Sequence, residues 1–439
     1  MSRTPALRVL IMLCLLVPFR GRATEPSADL AARVAAIEAD VIAWRRDIHQ
    51  HPELSNREAR TAALVADHLR ALGFDAVHTG IAHTGVVGVL VGGRPGATVA
   101  LRADMDALPV EEPPGLPFAS TVRAEYNGEQ VPVMHACGHD AHTAMLMGAA
   151  SVLAALRAEI PGTIAFVFQP AEEGAPQGEE GGAKLMLKEG LLDLARKPAA
   201  IFGLHVWPGE PNTLAYRTEG AMAASDRLRL EITGRQTHGS SPWTGVDPII
   251  VSAQIMNALQ VIPSRQLDVT RAPSVITIGS IHGGIRPNII PDKVEMLGTL
   301  RNFDARVRAE AHARIRRTAE GIAAAAGATA HLEIREQTLV TWNDPALAAR
   351  MRPALEKAAP ERVLGAPFVM AGEDFSYYQQ EIPGLFVFLG INAPGADPDK
   401  VAINHSPHFM INEDALKTGV HALAQLALDY LAGAPPTSD

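Results

Sequence analysis

Cysteine is scarce in this chain, which has only Cys14 and Cys137 among its 439 residues. Cys14 lies in an apolar N-terminal segment with the features of a cleaved signal, so we expect the mature protein to keep a single thiol. One thiol has no partner for an intramolecular disulfide, which excludes a disulfide-stabilised framework. Cys137 therefore needs another explanation.

Long apolar segments and an excess of positive charge are also missing. The 39 Lys and Arg residues are spread along the chain against 48 Asp and Glu, and the net charge is −9. We therefore expect no nucleic-acid partner. The apolar run at residues 9–19 has about 11 residues, whereas a membrane helix needs ~20. No later segment is long and apolar enough to cross a bilayer.

The N-terminus has the pattern of a secretory signal peptide at residues 1–23. Arg3 and Arg8 precede and flank the apolar run, and small residues occur at positions 21 and 23. A lipoprotein attached through Cys14 is the alternative, but the large Leu13 stands where such sites favour a small residue. We expect export to the periplasm or outside the cell, with no membrane attachment after cleavage.

The length and the 47% hydrophobic content allow a large core and two domains. Strand and helix patterns alternate in residues 27–222 and again in 338–435, which predicts a discontinuous α/β domain with a mostly parallel sheet and flanking helices. The helices are expected at 30–48, 56–72, 138–156, 344–359 and 413–431. The strands are expected at 85–91, 98–102, 163–168, 200–204 and 385–389.

The pattern changes in residues 223–337. Residues 227–233 alternate between polar and apolar side chains, as a half-exposed strand does. The expected order is strand 227–233, helix 247–262, strands 274–281 and 293–301, helix 304–326 and strand 330–336. This βαββαβ order is that of a ferredoxin-like α+β unit, and its position predicts a domain inserted into the first.

The densest chemistry lies in residues 135–142 (HACGHDAH), which combine one thiol with three imidazoles. A lone Cys137 would ordinarily be a small buried apolar residue. With His139 two residues away and a helix predicted to follow, a metal-ligand role is the better interpretation.

Further polar residues come just after predicted strands. Asp104 and Asp106 follow one strand, Glu172 and Glu173 follow a second, and His205 follows a third. Because the carboxyl ends of parallel strands share one edge, we expect these side chains to meet Cys137 there. Adjacent carboxylates allow one to bind a metal while the other holds a water. The alternatives are that Glu172 and Glu173 form a solvated pair, that His205 is a core histidine, and that Asp104 and Asp106 cap a turn. We assign Asp106 a supporting role rather than a ligand role.

Two other regions could contribute to the site. Either His405 or His408 could be a ligand, and the residues alone do not choose between them. In the inserted unit, Gly/Pro-rich loops carry His238, Arg286 and Asn288, which suit recognition of a carbonyl and a carboxylate. Ordinary turn chemistry explains these loops equally well.

Taken together, these motifs resemble the aminoacylase-like di-metal amidohydrolases and metallopeptidases. The resemblance is closest to the branch of hippurate hydrolases, plant auxin-conjugate hydrolases and bacterial N-acyl-amino-acid amidohydrolases. It covers about residues 30–435 in family order. The matching motifs are RADMDALP at 102–109, MHACGHD at 134–140, FQPAEEG at 168–174, GLHVWP at 203–208, HGSSPWTGVDPI at 238–249, GEDF at 372–375 and HSP at 405–407.

The resemblance implies a zinc-exopeptidase-like catalytic domain that holds two divalent ions per subunit. The implied metal ligands are Cys137, His139, Glu173, His205 and His405. Glu172 is implied as the general base. His238 would come from the inserted domain of the other subunit of a homodimer and polarise the scissile carbonyl. Asn288 and Arg301 match positions that help to hold the substrate carboxylate.

We therefore expect metal-dependent hydrolysis of the amide bond of N-acyl amino acids. Zinc or manganese suits the mixed S, N and O donors, and cobalt and nickel stay open. A carboxypeptidase or dipeptidase on the same fold is the nearest alternative, and a non-catalytic metal-binding protein is a more distant one. The acidic, Gly-rich segment 174–181 looks longer than the usual loop, so it is expected to reshape the pocket and affect acyl-group preference.

Overall fold

The computed structural model describes residues 26–397 and 399–433. The expected signal peptide at 1–23 and Cys14 lie outside the described residues. The α-helices are α1 (Pro26–Ala36), α2 (Glu38–Gln50), α3 (Ala59–Ala71), α4 (His139–Ala155), α5 (Gly182–Lys188), α6 (Pro248–Arg265), α7 (Ala305–Ala325), α8 (Pro345–Ala358), α9 (Phe375–Glu381) and α10 (Leu416–Ala432). None of these helices is both long and apolar enough to span a bilayer.

The strands fall into one large sheet, one smaller sheet and three short pairs. They are β1 (Ala76–Ile81), β2 (Gly85–Val91), β3 (Arg94–Asp104), β4 (Arg123–Tyr126), β5 (Glu129–Pro132), β6 (Pro161–Gln169), β7 (Ile201–Trp207), β8 (Leu214–Tyr216), β9 (Glu219–Met222), β10 (Ala224–Thr233), β11 (Thr237–His238), β12 (Ser274–Gly283), β13 (Ile289–Ile290), β14 (Lys293–Asn302), β15 (Thr329–Thr338), β16 (Thr341–Asn343), β17 (Val363–Gly365) and β18 (Gly384–Gly390).

The large sheet has eight strands in the order β1-β2-β6-β3-β7-β18-β8-β17. Its central strands β6, β3, β7 and β18 are mutually parallel. The antiparallel pairs are β1 with β2, β2 with β6 and β8 with β18, whereas β17 pairs with β8 in parallel. The central strands are buried along most of their length, as strands covered by helices on both faces must be. The expected α/β fold with a mostly parallel sheet is confirmed, with antiparallel pairing near its margins.

Two apolar cores lie against this sheet. One joins it to α1, α2, α3, α4, α8 and α10, and includes Met145 and Leu423. The other joins it to α5 and α9, and includes Met186 and Phe375. Because helices pack on both faces of the sheet, the carboxyl ends of its strands keep fixed positions relative to one another.

The inserted unit has the expected βαββαβ architecture. Strands β12, β14, β10 and β15 form an antiparallel sheet in that order, and α6 and α7 cover one of its faces. In β10 the apolar side chains of Leu228, Leu230 and Ile232 point to this core, while the alternate residues face away from it. The ferredoxin-like interpretation is confirmed. The exact domain boundaries stay a prediction.

Several elements differ from the sequence expectation. The single helix expected at 30–48 is two helices that meet at Ile37, and β3 and β7 each continue past their expected ends. His205 therefore lies inside β7 rather than after it, which corrects the prediction. The hairpin β4–β5 and the edge strand β1 were not expected, because their residues are only partly buried and show little apolar alternation.

Candidate metal centre

Strand ends and the start of one helix bring the candidate residues together. Asp104 ends β3 opposite Gln169 at the end of β6, and His205 lies near the end of β7. Helix α4 begins at His139, directly after Gly138, whose φ is +97°. A Cβ at position 138 would collide with the side chain of Val206. Glycine therefore allows the tight turn that presents Cys137 and His139 to the same edge of the sheet.

The five predicted metal ligands lie in two overlapping groups. Ligand atoms of Cys137, His139 and His205 lie within 4.8 Å of one another, and so do those of Cys137, Glu173 and His405. The Cys137 Sγ is 3.5 Å from the His205 Nε2, and the His405 Nε2 is 3.0 Å from the Glu173 Oε1. Cys137 belongs to both groups, which is the arrangement that a shared ligand between two cations requires.

Hydrogen bonds orient two of the imidazoles. The His205 Nδ1 donates to the carbonyl oxygen of Val206 at 2.7 Å, and the His139 Nδ1 lies 3.2 Å from the Asp106 Oδ1. In each ring the Nε2 atom is then left to face the cluster. This use of Nδ1 is the usual way in which proteins fix a histidine ligand to a metal.

Asp106 organises the segment that carries both glutamates. Its two carboxylate oxygens accept the backbone N–H groups of Glu172 and Glu173, each at 3.0 Å. The Ser55 hydroxyl donates to the same carboxylate at 2.8 Å. Asp106 belongs to none of the ligand groups among the described residues. Its contacts instead hold His139, Glu172 and Glu173 in place.

The donor set and its unpaired atoms fit divalent cations. The buried His139 Nε2 has no hydrogen-bond partner among the described residues, and carboxylate oxygens of Asp104, Glu172 and Glu173 lie 3.8 to 4.0 Å from it. Burial, together with the charges of Glu173 and Glu172, raises the pKa of the Cys137 thiol well above its usual value. A cation bound among these groups would compensate this excess of buried negative charge.

The glutamate beside the ligands has an equally perturbed environment. Burial, followed by the charges of Glu373 and Glu173, raises the pKa of the Glu172 carboxyl well above its usual value. Its Oε1 accepts the backbone N–H of Asp374 at 3.4 Å. Among the described residues Glu172 belongs to a group with His139 and Glu173, but to neither group that contains Cys137.

A cleft of about 620 Å³ contains this cluster and reaches the inserted unit. Arg301, predicted from the resemblance, lines it and is half-buried, and burial lowers the pKa of its guanidinium. The predicted residues His238 and Asn288 are exposed and do not line the cleft of their own chain. They lie beside each other, since the Gly239 N–H donates to the Asn288 carbonyl oxygen at 2.8 Å.

The structure also distinguishes His405 from His408. His405 lies in a ligand group and lines the cleft, whereas His408 belongs to no candidate group of the described residues and does not line the cleft. The residue types alone gave no reason to prefer either one.

A buried network beneath the cluster was not predicted. The Arg102 guanidinium donates to Gln169, Asp104, Glu373 and Asp374 at 2.6 to 3.1 Å. His142 joins it, with Nδ1 lying 2.6 Å from the Asp104 Oδ1 and Nε2 accepting the Val206 N–H at 2.8 Å. The motifs at 102–109 and 372–375 were the available signal, but their sequence alone does not reveal that they touch.

Comparison with known proteins assigns the chain to a family. A sequence model described as peptidase family M20/M25/M40 matches residues 100–429. The chain belongs to this family. It is 40% identical over 400 residues to thermostable carboxypeptidase 2 of Saccharolobus solfataricus, covering 90% of this chain and 97% of that protein. It is 38% identical over 384 residues to N-acetyl-L-cysteine deacetylase of Bacillus subtilis, covering 87% of this chain and 86% of that protein.

A solved structure gives the same assignment. The chain resembles a Bacillus subtilis protein described as a dinuclear metal-binding peptidase from the M20 family, with a TM-score of 0.76 and 35% identity over 91% of this chain and 99% of that one. The resemblance to di-metal amidohydrolases is thereby confirmed. This M20 protein is a metal-dependent hydrolase that acts on amide bonds.

Proposed function

We propose that this M20 enzyme hydrolyses the amide bond of N-acyl amino acids, releasing a carboxylic acid and a free amino acid. One observation carries the proposal: two ligand groups share Cys137 in a cleft that Arg301 also lines. Paired cations suit an amide carbonyl, and a guanidinium suits a free α-carboxylate. The related N-acetyl-L-cysteine deacetylase, by its name, acts on an N-acyl amino acid.

The two ligand groups define which residues would hold each cation. His139 and His205 would bind one, Glu173 and His405 the other, and Cys137 both. Zinc or manganese suits these S, N and O donors, and cobalt or nickel fits them as well. When bound, such cations polarise a carbonyl oxygen and lower the pKa of water.

Glu172 is the proposed general base. Its carboxylate adjoins the ligand cluster, and the backbone N–H of Asp374 restricts its orientation. In this position it takes a proton from the attacking water and later gives that proton to the leaving nitrogen. Its neighbour Glu173 remains a ligand, so the two adjacent carboxylates have different roles.

His238 of the partner subunit is the proposed donor to the carbonyl oxygen. In this chain the Ser240 N–H donates to the His238 Nδ1 at 3.0 Å, which places the proton of a neutral ring on Nε2. A donor aimed at a developing oxyanion contributes about 3 kcal/mol in comparable sites. The proposal therefore includes a homodimer assembled through the inserted unit, and Asn288 adjoins the same donor. We also propose that the enzyme is exported.

A second candidate function is peptide trimming by a carboxypeptidase or dipeptidase. It is favoured by the 40% identity to a protein named thermostable carboxypeptidase 2. A peptide also presents an amide and a C-terminal carboxylate, so the same cleft could hold it. The two functions differ in what precedes the scissile carbonyl: an acyl chain in one case and an amino-acid residue in the other.

A substrate panel tests the two functions against each other. The enzyme loaded with zinc or manganese is incubated with acetyl-, benzoyl- and long-chain-acylated amino acids and with dipeptides, and release of the free amino acid is measured. We expect the acylated substrates to have the larger kcat/KM and the activity to disappear in a chelator. Efficient cleavage of dipeptides alone would replace the proposal with the second candidate.

A further inference from the structure

Among the described residues, no helix covers one face of the inserted sheet, and that face carries a row of arginines. Helices α6 and α7 pack on the opposite face. Because side chains alternate along a strand, the residues at alternate positions of β10, β14 and β15 share the uncovered face. The arginines on it are Arg227, Arg229, Arg301 and Arg335.

Arg227 lies where this face meets the cleft that contains the candidate metal ligands. Arg227 and Thr299 line both that cleft and an adjoining cavity of about 500 Å³ that extends along the sheet. Arg229 and Arg335 line only the adjoining cavity, and Arg301 lines only the cleft. Two guanidiniums, those of Arg227 and Arg301, are thus available to a molecule bound beside the metal ligands.

These four arginines differ in how their charges are satisfied. Arg229 donates to Glu295 at 2.7 Å, and Arg335 donates to Glu333 at 2.6 Å. Within the described residues, neither Arg227 nor Arg301 has a side-chain hydrogen bond or an ion pair. The two arginines nearest the catalytic cluster are therefore the two that form no ion pair, and the only charge that acts notably on Arg301 is that of Asp226 on the adjacent strand β10.

Their placement on the sheet makes the lack of a partner significant. Arg227 lies directly opposite Arg335 on β15, and opposite Thr299 on β14, which makes Arg301 its diagonal neighbour. Like charges on facing positions of a sheet repel each other, whereas a bound anion would relieve that repulsion. Glu172 and Glu173 face the same cleft but belong to the metal cluster.

We infer that Arg227 determines specificity by binding a second carboxylate, in the side chain of an acidic amino acid, while Arg301 binds the α-carboxylate. This inference rests on the proposed function, because it concerns the amino acid that the reaction releases. Diagonal positions in an antiparallel pair are about 7–8 Å apart, so two long arginine side chains can converge on one dicarboxylate. Guanidinium and carboxylate form paired, charge-assisted hydrogen bonds.

The test compares two substrates of the same shape and different charge, N-acetyl-L-glutamate and N-acetyl-L-glutamine. In the wild-type enzyme we expect kcat/KM to be at least tenfold higher for the glutamate. Arg227→Gln should bring this ratio close to one. Arg229→Gln is the matched control, since it removes a guanidinium two positions along the same strand and should keep the wild-type ratio.

A charge-reversal variant distinguishes a change of substrate specificity from a structural effect of the substitution. Arg227→Glu should reverse the preference, so that Nα-acetyl-L-lysine becomes a better substrate than N-acetyl-L-glutamate, while metal content and circular dichroism match the wild type. A wild-type ratio near one, or a ratio that Arg227→Gln leaves unchanged, overturns the inference and leaves the proposed function standing. Failure of every acylated substrate in the panel overturns both.

Discussion

The two walls of the cleft are built in opposite ways. On the central sheet the candidate catalytic side chains are mostly buried, and hydrogen bonds to Asp106, Val206 and neighbouring groups fix their orientation. On the inserted unit, Arg227 is exposed and Arg301 forms no ion pair among the described residues. His238 is also exposed, but it lies outside the cleft of its own chain. The comparison indicates that the groups of the metal cluster are preorganised within the chain, and it supports our proposal that the substrate and a second subunit complete recognition.

The wall formed by the central sheet depends on a buried network of ion pairs. Arg102 is 2% exposed, and Asp104, Glu373 and Asp374 surround its guanidinium. Removal of one partner from such a buried set leaves an uncompensated charge, which costs about 3–5 kcal/mol in comparable cases. Substitutions on the inserted unit's wall leave no buried charge unpaired, so they carry no comparable free-energy cost. Variants of the metal cluster should therefore strongly affect metal binding and activity, whereas variants of Arg227 should mainly affect substrate preference.

The largest expected effect comes from Cys137→Ala. Because Cys137 belongs to both ligand groups, we expect this variant to lose both cations and all measurable turnover. Metal per subunit is measured by mass spectrometry after gel filtration, with activity measured on the same sample. His408→Ala is the control, since that histidine lies near the ligands in sequence but in no group. Two retained cations in Cys137→Ala would remove Cys137 from the ligand set.

The next largest effect is expected from Glu172→Gln. Loss of a general base typically lowers kcat by about 10²–10⁴-fold. The variant should still bind both cations, since Glu172 lies outside the two groups that contain Cys137. Single-turnover and steady-state rates are compared with metal content, and Glu179→Gln serves as the control because Glu179 is held by Arg57 at the loop surface. Near-normal kcat in Glu172→Gln would contradict the assignment of the base.

A smaller effect is expected from Asp106→Asn. The residue contacts His139 and the backbone of both glutamates without entering a ligand group. Loss of such support typically lowers metal affinity about 10–100-fold. A competition titration with a chelator measures the affinity. Ser55→Ala, which removes only one hydrogen bond to Asp106, should change it less. Equal affinities in the wild type and Asp106→Asn would show that the support is dispensable.

The sequence predicted the parts of the site that a general rule of sheet topology controls. Parallel strands share a carboxyl edge, so Glu173 and His205 could be expected to meet Cys137 without any knowledge of distances. The rule holds even where boundaries were wrong, because His205 projects into the cluster from inside β7. The inserted unit was predictable for a similar reason, since its strands alternate and its helices are long.

Other features depend on contacts that no local pattern encodes. Arg102 meets Glu373 across 271 positions of sequence, and both residues are polar, so hydrophobic periodicity gives no sign of the contact. Residue types alone do not choose between His405 and His408; the family motif at 405–407 did, and the structure shows that His405 reaches Glu173. Arg227 forms no ion pair because the strand register places the nearby Glu295 against Arg229 and Glu333 against Arg335.

The smallest expected effect, and the one that most directly tests the division between the walls, is partial complementation between two inactive variants. If His238 acts across a dimer, a His238→Ala subunit supplies an intact metal wall and a Glu172→Gln subunit supplies an intact His238. Each mixed dimer then has one complete site, so random exchange of equal amounts should restore about a quarter of wild-type activity. Turnover is measured after dissociation and reassembly of the mixture.

Glu172→Gln mixed with Cys137→Ala is the control and should restore none, because both changes damage the same wall. Absence of recovery in the first mixture, with mixed dimers demonstrated by differential tagging, would mean that His238 serves its own chain or has no part in the reaction.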